Sequence, residues 1–127
     1  MNDRAAEEIS GVWYNQLGSQ LHLHGDQDGR LTGNFHSTVG SPTGNYPVTG
    51  FFDPEPDAQG GPLGFTVCWP DAHSVTVWSG QYEAKDDTIV ATWLLTGRLI
   101  GSDDWRSTVI GHDVFRRSPP ASGAQSS

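Results

Sequence analysis

Glycine and proline leave this chain almost no room for a helix. Sixteen glycines and eight prolines are spread over 127 residues. They break every segment long enough to carry an apolar stripe of helical period. Between the breaks, short apolar runs return about every ten residues, the rhythm of strands joined by turns. The chain is therefore read as all-β, with strands near 11–17, 20–24, 31–37, 46–53, 63–69, 73–80, 88–97 and 106–115. Eight strands with short connections suit an antiparallel up-and-down β-barrel, because closing the sheet removes its unpaired edges.

Local signals agree with that reading. Leu21-His22-Leu23-His24 alternates, so the leucines face in and the histidines out. Asp26-Gln27-Asp28-Gly29 is a hairpin tip, since an Asp-Gly pair readily supplies positive φ. Lys85-Asp86-Asp87 and Gly101-Ser102-Asp103-Asp104 read as solvated turns, and Phe52 to Pro62 as the longest surface connection. The organisation expected is a flexible segment over 1–8, a barrel domain over 9–117 and a disordered tail over 118–127, where Ser, Pro, Gly and Ala dominate. Few large inward residues at mid-strand would leave a cavity, as in other ligand-holding eight-stranded barrels.

Charge narrows the partners. Seven basic against fifteen acidic residues give a formal charge of −8, which argues against nucleic acid and anionic membranes. No apolar run reaches transmembrane length. The hydrophobic fraction of 35% is low for one closed barrel, so part of the apolar surface is expected to be shared between subunits. The polar, acidic N-terminus has no secretory h-region. That leaves a cytoplasmic location and a secreted one with its signal removed both open. The single cysteine, Cys68, excludes an intrachain disulfide and reads as a small buried or half-buried strand residue.

Five tryptophans carry the functional signal. Four of them sit in the phrases Gly11-Val12-Trp13-Tyr14-Asn15-Gln16-Leu17-Gly18-Ser19, Thr76-Val77-Trp78-Ser79-Gly80-Gln81-Tyr82, Ala91-Thr92-Trp93-Leu94-Leu95-Thr96 and Trp105-Arg106-Ser107-Thr108-Val109-Ile110-Gly111-His112-Asp113-Val114-Phe115. In order and spacing these phrases closely resemble the avidin/streptavidin family of biotin-binding proteins, over about Ile9 to Phe115 and nearer the streptavidin side. The resemblance implies a non-enzymatic protein without a cofactor that sequesters biotin with high affinity. It also implies a homo-oligomer, with a tetramer as the leading arrangement, and secretion.

The site residues follow from the resemblance, position by position. Asn15 and Ser19 match donors to the ureido oxygen. Phe35 stands where the family has a third donor, a tyrosine hydroxyl. Ser37 and Asp113 match the acceptors of the two ureido N–H groups. Thr76 matches the hydroxyl beside the thioether sulfur, and Ser74 a donor to the carboxylate. Ser41 falls on a loop that covers the ligand and binds the same carboxylate. Trp78, Trp93 and Leu95 match the apolar walls, with Phe65 in the place of another tryptophan. Trp105 matches the residue that reaches into a neighbouring subunit's pocket, and Ile110 and His112 match subunit contacts. Trp13 and Trp69 are assigned to the core.

Other chemistries find weaker support. His22 and His24 share a strand face, but two metal ligands without a third make no site. Asp26-x-Asp28-Gly29 lacks the remaining ligands of a calcium loop. No Gly-x-Ser-x-Gly elbow places a serine nucleophile, and no carboxylate pair is spaced for glycoside hydrolysis. Two further readings stay open. One is a protein-interaction or inhibitory module on the same fold with a degenerate pocket. The other is a lipocalin-like carrier of hydrophobic ligands.

Overall fold

The computed structural model describes residues 4–37, 44–99 and 107–121. A short helix, α1 (Arg4–Ile9), precedes eight strands: β1 (Gly11–Tyr14), β2 (Gln20–Gly25), β3 (Arg30–His36), β4 (Asn45–Phe52), β5 (Gly60–Trp69), β6 (Ser74–Glu83), β7 (Thr88–Gly97) and β8 (Thr108–Phe115). They form one sheet in the order β1 to β8, every neighbour antiparallel. The first and last strands then meet. The N–H groups of Tyr14 and Arg116 each donate to the other's carbonyl at 2.8 Å, so the all-β meander curls round to a closing seam.

All eight strands fall near their expected places, and the differences in extent have local causes. β2 alternates as its sequence demands, Leu21 and Leu23 buried and His22 and His24 exposed. β1 stops at Tyr14 rather than continuing to residue 17. There Asn15 Oδ1 accepts the N–H groups of Leu17 and Ser19, each at 3.0 Å, and Gly18 takes φ +84°. That side chain turns the backbone out of the ladder. β5 and β6 run longer than expected, because Gly60 and Gly61 pair with Glu83 and Tyr82. Glycine and proline there look like loop, yet they extend a strand whose outer side has left β4. Cys68 on β5, expected buried or half-buried, is exposed, because strand alternation with the buried Phe65 and Val67 turns it outward. The β2–β3 hairpin is as expected: Asp26 Oδ1 accepts the N–H groups of Asp28 and Arg30 at 2.9 Å, and Gly29 has φ +88°. The Arg30 N–H is the main influence holding the Asp26 carboxyl below its usual value.

The first residues differ from expectation. From Arg4 onward the segment expected to be flexible is helical, with Ala5 and Ile9 buried. Six residues are too few for a helix to hold alone, so its contacts stabilise it. The Trp13 indole donates to Ile9 O at 2.9 Å. The Arg117 guanidinium lies 3.6 Å from the Trp13 ring centroid and donates to the carbonyls of Ser10 and Glu8. Its Nε reaches Asp87 Oδ2 at 3.1 Å, while Tyr82 O–H donates to the other Asp87 oxygen at 2.8 Å. Burial, then this bond, pushes the Tyr82 phenol up to about 12.

This cluster plugs one end of the barrel, and the packing above it is uneven. Trp13, Leu21, Leu31, Phe65, Val67, Ile89 and Phe115 are wholly buried. Each inward row is filled by apolar side chains towards α1. Further along, the same rows change to Asn15, Ser19, Thr76 and Asp113, which are buried and polar. One half of the barrel is packed core; the other half is hollow.

Candidate ligand-binding site

The hollow half is a cavity of about 370 Å³, within the range of small-molecule sites. Asn15, Leu17 and Ser19 line it from the β1–β2 turn, and Phe35 and Ser37 from the end of β3. Trp69 ends β5, and Ala72 belongs to the 3-10 turn Pro70–Ala72 that follows. Ser74, Thr76 and Trp78 come from β6, Trp93 and Leu95 from β7, and Asp113 from β8. Among the described residues, Asp113 is the one ionisable side chain in this lining.

Antiparallel register brings these residues together. Trp78 pairs with Trp93, Thr76 with Leu95, and Trp69 with Ser74. Trp93 faces Gly111 across β7 and β8. A Cβ on Gly111 would fall 2.1 Å from Trp93 Cζ2, so the indole lies flat over β8 only because residue 111 has no side chain. The aromatic wall is continuous. Phe35 stacks on Trp78 with centroids 5.4 Å apart and meets Trp69 edge-on at 5.5 Å. Tyr46 supports Trp69 from behind at 4.7 Å.

The polar groups are oriented by the protein before any ligand arrives. Asn15 Oδ1 is taken by two backbone N–H groups. This fixes the amide flip and presents the NH₂ as the remaining donor. Asp113 is buried, and both its oxygens are engaged: Oδ2 accepts the Trp78 indole N–H at 2.8 Å, and Oδ1 accepts Gln16 Nε2 at 2.8 Å. A carboxylate has lone pairs for about four donors, so it keeps capacity for a ligand N–H. Thr76 Oγ1 accepts the Trp69 indole N–H at 2.7 Å, leaving the hydroxyl proton to be donated. Donors from one wall and acceptors from another face one space between indole rings. The arrangement suits a compact, rigid ring system carrying both a carbonyl and N–H groups.

Of the residues expected at the site, Asn15, Ser19, Phe35, Ser37, Ser74, Thr76, Trp78, Trp93, Leu95 and Asp113 line this one cavity. Ser41 and Trp105 lie outside the described residues. Two aromatic assignments are corrected. Phe65, expected as a wall, lies behind Trp78, stacked on it at 4.9 Å and fully buried. Trp69, expected in the core, stands at the cavity instead. Residues 65, 67 and 69 point to the same face. Parity along β5 therefore gives the direction of all three, but only depth separates core from wall. Leu17, Ala72 and Gln16 were not anticipated in any role. Gln16 reaches Asp113 across ninety-seven positions of sequence, a proximity that no local pattern encodes.

Among the described residues, no group of three or more His, Cys, Asp or Glu is placed to hold a metal ion. His22 bonds instead to Gln20 Oε1 at 2.9 Å.

Known proteins are similar to this chain in sequence. The chain is 30% identical over 115 residues to avidin-related protein 4/5 of Gallus gallus, an alignment covering 86% of this chain and 77% of that protein. It is 30% identical over 118 residues to avidin of Gallus gallus, with the same coverage. Fibropellin-1 of Strongylocentrotus purpuratus is 24% identical over 126 residues, 87% of this chain but only 11% of that protein. The model of the avidin family matches residues 4–118, nearly the whole of the barrel and its plug, and the chain belongs to that family.

Proposed function

We propose that this protein binds biotin non-covalently and with high affinity, and sequesters it without transforming it. The observation that carries the reading is the convergence of Asn15, Ser19, Ser37 and Asp113 on one cavity walled by Trp69, Trp78 and Trp93. The ureido oxygen takes the Asn15 NH₂ and the Ser19 hydroxyl. Two donors on one carbonyl favour its charge-separated form, as an oxyanion hole does. The ureido N–H groups go to Ser37 and Asp113, and the thioether lies by Thr76. The acyl chain leads towards Ser74 and, by resemblance, Ser41. Burying the rings while meeting every polar atom avoids the cost of unmade hydrogen bonds.

The site works as part of a homo-oligomer, with a tetramer the arrangement we favour. Val77, Leu94 and Ile110 are neighbours in register on the outer face of β6, β7 and β8, and all three are exposed. Val75 and Val90 add to the same face. A row of large apolar side chains across a sheet surface suits contact with another subunit. By resemblance, Trp105 would close a neighbour's cavity and the protein would act outside the cell.

The direct test is a biotin titration followed by tryptophan fluorescence, since three indoles line the cavity. Saturable change at one biotin per chain supports the reading. Absence of change, with no competition against a fluorescent biotin conjugate, contradicts it and favours a same-fold interaction module.

Phe35 sets the expected affinity relative to a site with three ureido donors. Its ring is at the cavity wall but offers no hydroxyl. Phe35→Tyr is expected to tighten binding about tenfold, mostly through slower dissociation, since one hydrogen bond contributes about 1–1.5 kcal/mol. Dissociation of labelled biotin measures it. An unchanged rate would mean the ureido oxygen is already satisfied without residue 35.

A further inference from the structure

Gln16 lies outside the cavity lining, yet its side chain ties the site to the barrel seam. At that seam Tyr14 and Arg116 exchange two backbone hydrogen bonds. Continuing the antiparallel register by two residues sets position 16 opposite Val114. The backbone cannot follow, because the Asn15 side chain has turned it aside. The Gln16 amide takes the place of the missing peptide group. Its Oε1 accepts the Val114 N–H at 3.1 Å, and its Nε2 faces the His112 carbonyl at 3.3 Å. The same Nε2 donates to Asp113 Oδ1 at 2.8 Å. One acceptor and two donors on a planar group are all used.

We infer that Gln16 is a positioning residue for biotin: its side chain completes the β1–β8 seam and, through that anchor, locks the Asp113 carboxylate in the orientation that receives the ligand N–H. The assignment rests on the biotin reading above. Asp113 is held at two points, by Trp78 on Oδ2 and by Gln16 on Oδ1. With one hold removed, the carboxylate is free to turn about its last bond, and the ligand must then order it on binding. Gln16 touches the ligand nowhere in this scheme. It acts on affinity through Asp113 alone, and on stability through the seam.

The test separates these two roles with two variants. Gln16→Met keeps the length and removes all polar groups. Gln16→Glu keeps the acceptor for Val114 N–H and removes the donor to Asp113. Wild type, Asp113→Ala, both variants, and each variant combined with Asp113→Ala are compared in biotin dissociation rate. Both single variants are expected to dissociate roughly tenfold faster than wild type, and that effect should vanish once Asp113 is alanine. The Trp78 indole ¹⁵N–¹H resonance should also move in both single variants, since its acceptor has lost the other hold. Equal effects with and without Asp113, or an unmoved Trp78 resonance, would overturn the assignment and leave Gln16 as a seam residue only. If Gln16→Glu binds as wild type while Gln16→Met is weak, the seam alone matters and the assignment also fails. If wild type itself takes up no biotin, the reading beneath the assignment fails, and the assignment with it.

Discussion

Asp113→Ala is expected to weaken biotin binding by about a hundredfold or more. Two protein donors depend on this carboxylate, the Trp78 indole and the Gln16 amide, and the proposed bound state adds one ligand N–H. A hydrogen bond to a charged acceptor contributes about 1.5–3 kcal/mol, and a buried donor left without a partner costs about 1–3 kcal/mol more. Only the ligand's share enters fully into affinity, because the two protein donors lose their partner in the free state as well. Hence the estimate stays near 3 kcal/mol, about two decades. Asp113→Asn sharpens the prediction. It keeps the shape but turns one acceptor oxygen into a donor, aimed at groups that already donate. Asparagine keeps one acceptor oxygen, so it should fall between alanine and wild type, as read by calorimetry or by dissociation of labelled biotin. An alanine variant equal to wild type would show that the ligand presents no N–H to residue 113.

The second large effect is expected from the smallest change. Gly111→Ala adds one methyl group where the Trp93 ring already lies, 2.1 Å from the new atom. Carbon atoms cannot approach so closely, so the ring or the β7–β8 pair must shift by more than an ångström. Overpacking of this kind costs about 1–3 kcal/mol of stability. The loss of binding should be larger than that figure suggests, because a displaced Trp93 enters the space the ligand needs. Trp93 is backed by its own strand and faces Trp78 across the register. Binding weakened more than tenfold, with a lowered but cooperative unfolding transition, is the expected outcome. Near-normal affinity would mean the indole can leave the wall at no cost to the site.

The fold was legible because its signals are local. Alternation at Leu21-His22-Leu23-His24 and the Asp26–Gly29 turn each specify their own few residues, and both appear as read. The helix at Arg4–Ile9 was not legible. Its six residues are held by the burial of Ala5 and Ile9 and by Trp13 and Arg117, the last more than a hundred positions away. The early end of β1 is intermediate. Asn15 was singled out as a ligand donor, yet its oxygen also shapes the turn that ends the strand. Within the site, sequence gave the direction of side chains more reliably than their depth. Phe65 and Trp69 share one face of β5, and exchanging their roles was the consequence. The hold of Gln16 on Asp113 is a pure product of closure, because only when β8 returns to β1 do these two residues meet.

The most direct measurement is the thermal unfolding midpoint with and without excess biotin. A ligand that binds only the folded state adds RT ln(1 + [L]/Kd), about 4 kcal/mol at a thousandfold excess over Kd. Tight binding predicts a rise of many degrees at micromolar biotin, continuing with the logarithm of concentration above Kd. A midpoint that does not move at about 1 mM biotin would place Kd above that concentration, and would contradict biotin binding as the function of this cavity.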